Sequence, residues 1–174
     1  MSRNDRGMAR ADIEALTQRS TELIDRVERE TTDDERMRKP APAAWSLTEV
    51  TQHLALVTGG MLRTARPSGR SAPLLDKVKT SLLTGILRSR MKMRVPVAGI
   101  VPRTGVTWTD ARTHVLGSLD RWKAFVDGDT FDDTGFMHPL VGRLTPAQTA
   151  RFLVEHFEHH MRQVDRLFAG LKGA

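Results

Sequence analysis

The sequence predicts an all-α protein built as an antiparallel bundle of helices. Apolar residues recur at intervals of three and four along most of the chain, in four or five separable segments. Two of these segments begin with a capping box, in which a Ser or Thr is followed three residues later by Glu or Gln. Strand-like alternation is scarce, and the 174 residues suit one domain with one core.

The first predicted helix extends from Ala11 to about Lys39. Its apolar residues recur at helical spacing, at Ile13, Leu16, Leu23, Ile24 and Val27. The prolines of KPAPAAW (39–45) cannot continue the hydrogen-bond ladder, so the helix should end there. The preceding MSRNDRGMAR is polar. We therefore predict a disordered N-terminus over residues 1–10 and one helical domain over residues 11–172.

A capping box marks the start of the second long helix. The hydroxyl of Ser46 can accept from the amide of Glu49, and the Glu49 carboxylate can reach back to the amide of Ser46. A helix should therefore run from residue 47 to about residue 65. Its inner seam should be formed by Leu47, Val50, Leu54, Val57 and Met61.

The last helix begins with the second capping box, formed by Thr145 and Gln148. Pro146 stands at the first helical position, where its missing N–H costs nothing. The helical pattern extends to about residue 167 or 168. This helix carries three of the six histidines of the chain.

Secondary structure in the middle of the chain is predicted less precisely. Residues 74–94 look helical, and their basic amphipathic part (77–94) fits either a bundle helix with solvated arginines or a surface for anionic membrane or nucleic acid. We favour the bundle helix. Prolines and glycines predict an irregular connection over residues 95–106. Another helix should run from 109 or 110 to about 126, followed by a turn-rich loop over 127–143.

The composition excludes several classes of function. Cysteine is absent, which excludes disulfides, thiolate metal sites and a cysteine nucleophile, and fits a cytoplasmic location. The net charge of +6 could attract nucleic acid or an anionic membrane, but an Arg-rich solvated surface explains it equally, so we expect neither partner. Aromatic residues make up only 5%, so the stacking platforms of single-strand binding are scarce. We see no signal peptide, transmembrane run, phosphate-binding loop, dinucleotide fingerprint or serine-nucleophile elbow.

Helical periodicity assigns different environments to the three histidines of EHFEHHMRQ (155–163). His160 falls on the leucine row from Leu153 to Leu167 and should point into the bundle. His156 lies one turn earlier on the same side, about 90° from the centre of the apolar stripe. His159 lies about 150° away and should face water. Since His156 and His160 are at positions i and i+4, their imidazoles can converge on one metal ion.

A third ligand is expected from another helix, because two histidines seldom hold a metal alone. His53 is the best candidate, since it lies about 80° from the centre of its helix's seam, a similar boundary position. Glu155 and Glu158 project away from the His156/His160 face. The alternative interpretation is a buried core histidine beside a surface histidine, with no metal.

Three stretches resemble the DinB-like superfamily: WSLTEVTQHLA (45–55), MHPLVGRLTPAQ (137–148) and HFEHHMRQ (156–163). Within it they look closest to a branch marked by HP-x-x-G-x-L and a terminal H-x-x-H-H-x-x-Q. The resemblance covers most of the chain from about residue 20. It implies a four-helix bundle with a long crossover connection and a metal site of one histidine from the second helix and an HxxxH pair from the last. These correspond to His53, His156 and His160.

The resemblance also implies a chemistry. Family sites bind a divalent ion such as zinc or nickel, and some members transfer a low-molecular-weight thiol, bacillithiol or mycothiol, to an electrophile. The expected function is thus a metal-dependent thiol transferase or a hydrolase with a small-molecule substrate. The alternative is a non-catalytic bundle that binds a small molecule or a protein partner, with a structural metal or none. Relatives often pair, so a homodimer is expected.

Neighbouring residues receive supporting roles. Gln163 lies near the face shared by the two histidines of the last helix and can orient a ligand, while Glu49 is one turn before His53, although its capping role explains it equally well. Trp45 is predicted to be a hydrophobic staple at the bundle end. His138 is expected to be structural or capping, and Gly142 to permit a turn.

Overall fold

The computed structural model of the chain describes residues 3–67, 85, 98–139 and 142–172. Within these ranges it has five α-helices, namely α1 (Arg3–Glu30), α2 (Asp33–Met37), α3 (Leu47–Arg63), α4 (Trp108–Asp127) and α5 (Pro146–Lys172). A three-stranded antiparallel sheet is formed by β1 (Arg66–Pro67), β2 (Thr134–His138) and β3 (Gly142–Leu144), in that order. A 3-10 turn spans Ala98–Ile100. The predicted all-α bundle is confirmed. The helix predicted over 74–94 lies outside the described residues, apart from Gly85.

The four long helices of the described ranges are arranged in the order α1, α4, α3, α5 around the bundle. Helix α1 packs against α4 and α5, and α3 packs against the same two helices. Consecutive helices α1 and α3 are therefore diagonal to each other, and so are α4 and α5. This arrangement departs from simple up-and-down order, in agreement with the crossover topology that the family resemblance implied.

Ion pairs between the helices show in which direction each helix runs. Helices α1 and α5 run parallel, because their contacts advance together along both helices, at Asp12–Arg151, Arg19–Glu158, Arg26–Asp165 and Glu30–Lys172. Helix α4 runs against α1, since Arg10 pairs with Asp127 and Glu28 pairs with Arg112. Surface pairs of this kind add little stability singly, so they mark direction rather than hold the bundle.

Helices α3 and α4 are also parallel. The indole of Trp122 donates to the carbonyl of Thr58 near the end of α3. At the other end, Arg36 accepts from Thr48 through its backbone carbonyl and lies over the ring of Trp108. Residues 64–107 therefore lie in the chain between two helices that point in the same direction.

The N-terminal part of the chain corrects two predictions. Residues 3–10, predicted to be disordered, belong to α1, and Ala9 is fully buried. Helix α1 also ends at Glu30 rather than near Lys39, because Thr32 and Glu35 form a capping box that starts α2. The sequence TTDDE (31–35) does not reveal this break between α1 and α2, because the pattern around it keeps helical spacing.

The other helix boundaries agree closely with the sequence. The capping boxes of α3 and α5 both form, since Ser46 and Thr145 each accept from the predicted amide. A further capping box, Thr107 with Asp110, starts α4 slightly earlier than predicted. Helix α5 continues to Lys172, beyond the predicted end, and Leu171 in its last turn still packs against the core.

The segment 127–143 was predicted to be a turn-rich loop, and this was wrong in part. It contains β2, which pairs with β1 and β3, and it contributes two fully buried rings to the core, Phe131 and Phe136. These rings pack beside Trp122 and Phe125 of α4. The many Asp, Gly and Thr residues between the phenylalanines conceal the strand in the sequence.

None of the helices within the described ranges combines the length and the apolar character that crossing a membrane requires.

Gly142 provides a test of the hairpin that leads into α5. Its φ is 81°, in the left-handed region that glycine adopts without steric cost. Gly142→Ala should lower the free energy of unfolding by about 1–2 kcal/mol. The control is Gly7→Ala, at an exposed helical position with open space, which should raise it by about 0.5–1 kcal/mol. Equal effects of the two variants in chemical denaturation would contradict this account.

Candidate metal centre

Two helices bring three histidines together. The Ser46 capping box fixes where α3 begins, and this sets the direction in which His53 leaves the helix. His156 and His160 are one turn apart on α5, with ring centroids separated by 4.7 Å. Helices α3 and α5 run antiparallel, since Thr64 at the end of α3 contacts Met137 next to His138, whose ring packs on Phe152 early in α5.

The three imidazoles converge within a small volume. The Nε2 atoms of His53 and His156 are 3.2 Å apart, and the ring centroids of His53 and His160 are 4.6 Å apart. One ring nitrogen from each histidine lies within 4.8 Å of the others. All three residues are buried, with exposed fractions of 2% for His53 and 8% for the other two. The trio selected by helical periodicity is thus brought together by the fold.

Hydrogen bonds fix the tautomers of two of these rings. The Nδ1 of His53 is 2.7 Å from the carbonyl oxygen of Ile100, and a carbonyl can only accept. His53 therefore carries its proton on Nδ1 and presents the lone pair of Nε2 to the cluster. The Nδ1 of His160 likewise lies 3.0 Å from Oε1 of Gln163, which leaves its Nε2 free to bind a ligand.

The predicted supporting residues separate into two groups. Gln163 contacts a histidine of the cluster, as its position on α5 suggested. The Glu49 carboxylate instead accepts from the Ser46 amide at 3.0 Å and pairs with the Lys39 ammonium at 2.6 Å. Glu49 therefore acts on the helix start and the neighbouring loop, and its contribution to the cluster is to hold α3 in register.

Burial keeps the cluster uncharged at neutral pH. Loss of solvation lowers the pKa of His53, and it lowers the pKa of His156 well below the ordinary range, with the neighbouring histidines adding to the effect. Burial also lowers the pKa of His160 to about 3, partly opposed by the hydrogen bond to Gln163. Neutral imidazole is the form that coordinates a metal ion.

Trp45 is a member of this site that the sequence did not reveal. Its indole ring lies 4.8 Å from the ring of His53 and is stacked on His160 at 6.1 Å. The residue is only half-buried and so forms part of the rim. We predicted a hydrophobic staple because Trp45 precedes the cap of α3. Its contact with α5 depends on the antiparallel pairing of two helices, which local periodicity does not encode.

The remaining histidines lie around or away from the trio. His138 is buried at the end of β2, and its ring meets Phe152 edge-on at 4.8 Å, in keeping with a structural role. His159, predicted to face water, is half-buried, with its ring 5.2 Å from His160 and its Nδ1 3.4 Å from the Arg162 guanidinium. His114 is exposed on α4.

Two carboxylates close in sequence to the histidines of α5 are engaged elsewhere. Glu155 is buried and forms an ion pair with Arg151 at 2.6 Å, and Glu158 pairs with Arg19 of α1. Among the described residues, the group of potential metal ligands consists of histidines alone.

The donor set fits a divalent ion of borderline softness. With Zn–N bonds of about 2.0–2.1 Å, tetrahedral geometry places neighbouring ligand nitrogens about 3.3–3.4 Å apart. The His53–His156 separation of 3.2 Å is close to this edge length. Without an ion, the same contact is satisfied when Nε2–H of His156 donates to Nε2 of His53. Three imidazoles would leave one tetrahedral position for another ligand.

His138 gives the stability of the fold a measurable pH dependence. Burial lowers its pKa from 6.5 to about 4. The unfolded chain therefore takes up this proton near pH 6.5, whereas the folded protein does so only near pH 4. Stability should be lost as the pH falls through this interval, by up to about 1.4 kcal/mol per pH unit. In chelator-treated protein, His138→Phe should show a shallower decline than wild type in denaturant titrations, and parallel curves would refute the assignment.

Comparison with known proteins yields the family. No curated protein matches the chain. The sequence model of the DinB superfamily matches residues 12–164, a range that includes all three clustered histidines. The narrower branch suggested by the terminal H-x-x-H-H-x-x-Q motif stays a prediction. The bundle topology and the match over most of the sequence agree, and the chain belongs to the DinB superfamily.

Proposed function

We propose that the protein is a metal-dependent enzyme that binds one zinc or nickel ion through His53, His156 and His160. The observation that supports this proposal is the convergence of three buried, neutral imidazoles, with candidate ligand atoms within 4.8 Å of one another. The reaction that we infer is the transfer of a low-molecular-weight thiol of the bacillithiol or mycothiol type to a small electrophile.

The charge balance of the site supports an anionic co-substrate. Three neutral histidines leave the charge of a divalent ion uncompensated, and no carboxylate joins the cluster within the described part of the chain. A bound ion of this kind lowers the pKa of a thiol or water ligand and supplies a nucleophile near neutral pH. Because the chain has no cysteine, the sulfur in a thiol transfer has to come from the co-substrate.

The protein's own residues would hold and shield the reacting groups. Ile100 and Gln163 keep the Nδ1 protons of His53 and His160, so that their Nε2 atoms face the same point. Trp45 covers two of the imidazoles with an apolar ring and excludes water from that side. A low-dielectric environment strengthens the attraction between the ion and an anionic ligand.

A small molecule is the expected substrate. Many basic side chains of the described surface are engaged with carboxylates, including Arg10 with Asp127 and Arg26 with Asp165. This reduces the positive surface that a nucleic acid or an anionic membrane would need. The homodimer suggested by the resemblance stays a prediction.

One observation favours a second candidate, a non-catalytic bundle with a structural metal. The two carboxylates nearest to the clustered histidines of α5 in sequence are occupied by Arg151 and Arg19. General acid–base catalysis needs a titrating group within reach of the substrate. Thiol transfer demands less of such a group than hydrolysis does, and for this reason we place it first.

Metal content tests the first part of the proposal. Protein purified without a polyhistidine tag should contain about one equivalent of divalent metal by elemental analysis. His53→Ala should reduce this below a tenth of an equivalent, because two histidines alone bind weakly. The matched control is His114→Ala, which removes an exposed histidine and should leave the metal content unchanged. Equal metal contents in the two variants would exclude the proposed site.

A thiol screen tests the reaction. Metal-loaded protein should accelerate the attack of bacillithiol or mycothiol on an aryl chloride dye; the sulfur–carbon bond forms, chloride leaves and the thiol proton passes to solvent. Cysteine and glutathione serve as comparison thiols, and His53→Ala as the inactive control. Wild-type protein that binds metal but accelerates none of these reactions above the control would favour the structural-metal alternative.

A further inference from the structure

Gln52, the residue before His53, connects α3 to the crossover segment. Its side chain is buried, with 5% exposed, and its Oε1 accepts from the backbone N–H of Arg103 at 2.8 Å. Nothing in the local sequence pattern marks Gln52 as a functional residue. Gln52 is thus adjacent in sequence to a histidine of the cluster and is hydrogen-bonded to a segment 51 residues further along the chain.

Two adjacent residues of α3 hold this segment at two points. We name residues 100–103 the strap. His53 donates from Nδ1 to the carbonyl of Ile100 at its start, and Gln52 accepts from the amide of Arg103 at its end. Both side chains are buried, so water competes poorly for either hydrogen bond.

The strap is anchored unevenly along its length. Ile100 ends the 3-10 turn and packs partly against the core, and Pro102 is half-buried but has no N–H to donate. The Val101 side chain is 48% exposed. The hydrogen bond at Arg103 is therefore one of the contacts that determine where the Ile100 carbonyl lies. A carbonyl displaced by about 1 Å would no longer fix the His53 tautomer.

We propose that Gln52 is a positioning residue for the metal centre. By holding the end of the strap, it keeps the Ile100 carbonyl against Nδ1 of His53 and directs Nε2 into the cluster. This inference rests on the proposed metal site for its functional meaning, although its structural part, the tautomer of His53, can be measured without metal. Loss of such an outer partner lowers metal affinity by about 10–100-fold.

Two substitutions of Gln52 separate positioning from general stability. Gln52→Met keeps the length of the side chain and removes the acceptor, so zinc affinity, measured by competition with a chromophoric chelator, should fall by about 10–100-fold. Gln52→Glu keeps an acceptor oxygen and adds a negative charge, so it should bind zinc at least as tightly as wild type. The matched control is Gln148→Met, which removes the acceptor for the Thr145 amide at the start of α5 and should leave zinc affinity within about twofold.

Nitrogen NMR of labelled histidine in metal-free protein gives the independent measurement. His53 should be protonated at Nδ1 in wild type and in Gln52→Glu, whereas Gln52→Met should show a mixture of tautomers. Unchanged tautomer and affinity in Gln52→Met would overturn the proposal, as would an equal loss of affinity in Gln148→Met. If wild type binds no zinc yet the tautomer shifts as expected, the positioning role stands and the proposed metal function fails.

Discussion

The site depends on the approach of His53 to His156 across the α3–α5 interface. Their Nε2 atoms are 3.2 Å apart in a buried environment, so each ring constrains the position and protonation of the other. Two protonated imidazoles at this distance would repel strongly, and burial already disfavours either charge. The contact is therefore compatible with one shared hydrogen or with one cation. Either a shared hydrogen or a bound cation requires α3 and α5 to be held in a defined register.

Parts of the fold outside the long helices maintain that register. The 3-10 turn that ends at Ile100 supplies the acceptor for His53, and β2 ends at His138, which packs on Phe152 one turn before His156. The contact with Ile100 brings a residue that precedes α4 in the chain against the middle of α3. The geometry of the site therefore depends on packing outside α3 and α5.

Structural features that depend on local periodicity were predicted from the sequence. Features that depend on packing between distant segments were not. The seam positions of α3 and α5 identified the three histidines, and Gln163 followed because it lies one turn from His160. Trp45 and Gln52 could not be found in this way, since Trp45 lies outside a helix and Gln52 contacts a backbone amide 51 positions away. The buried rings of Phe131 and Phe136 were missed because a short strand among turn-forming residues has almost no periodicity.

The energetic cost of this arrangement supports a binding role for the cluster. Aliphatic side chains at the same positions would bury apolar surface without desolvating polar nitrogens, and would give a more stable bundle. The chain instead buries three imidazoles, supplies acceptors for two of their Nδ1 protons, and directs the other nitrogens of these two rings toward a common point. A purely structural histidine needs both of its nitrogens satisfied within the protein. For His53 and His160 the protein satisfies the outer nitrogens and leaves the inner ones to the neighbouring rings or to a cation, which is the arrangement that a metal ligand requires.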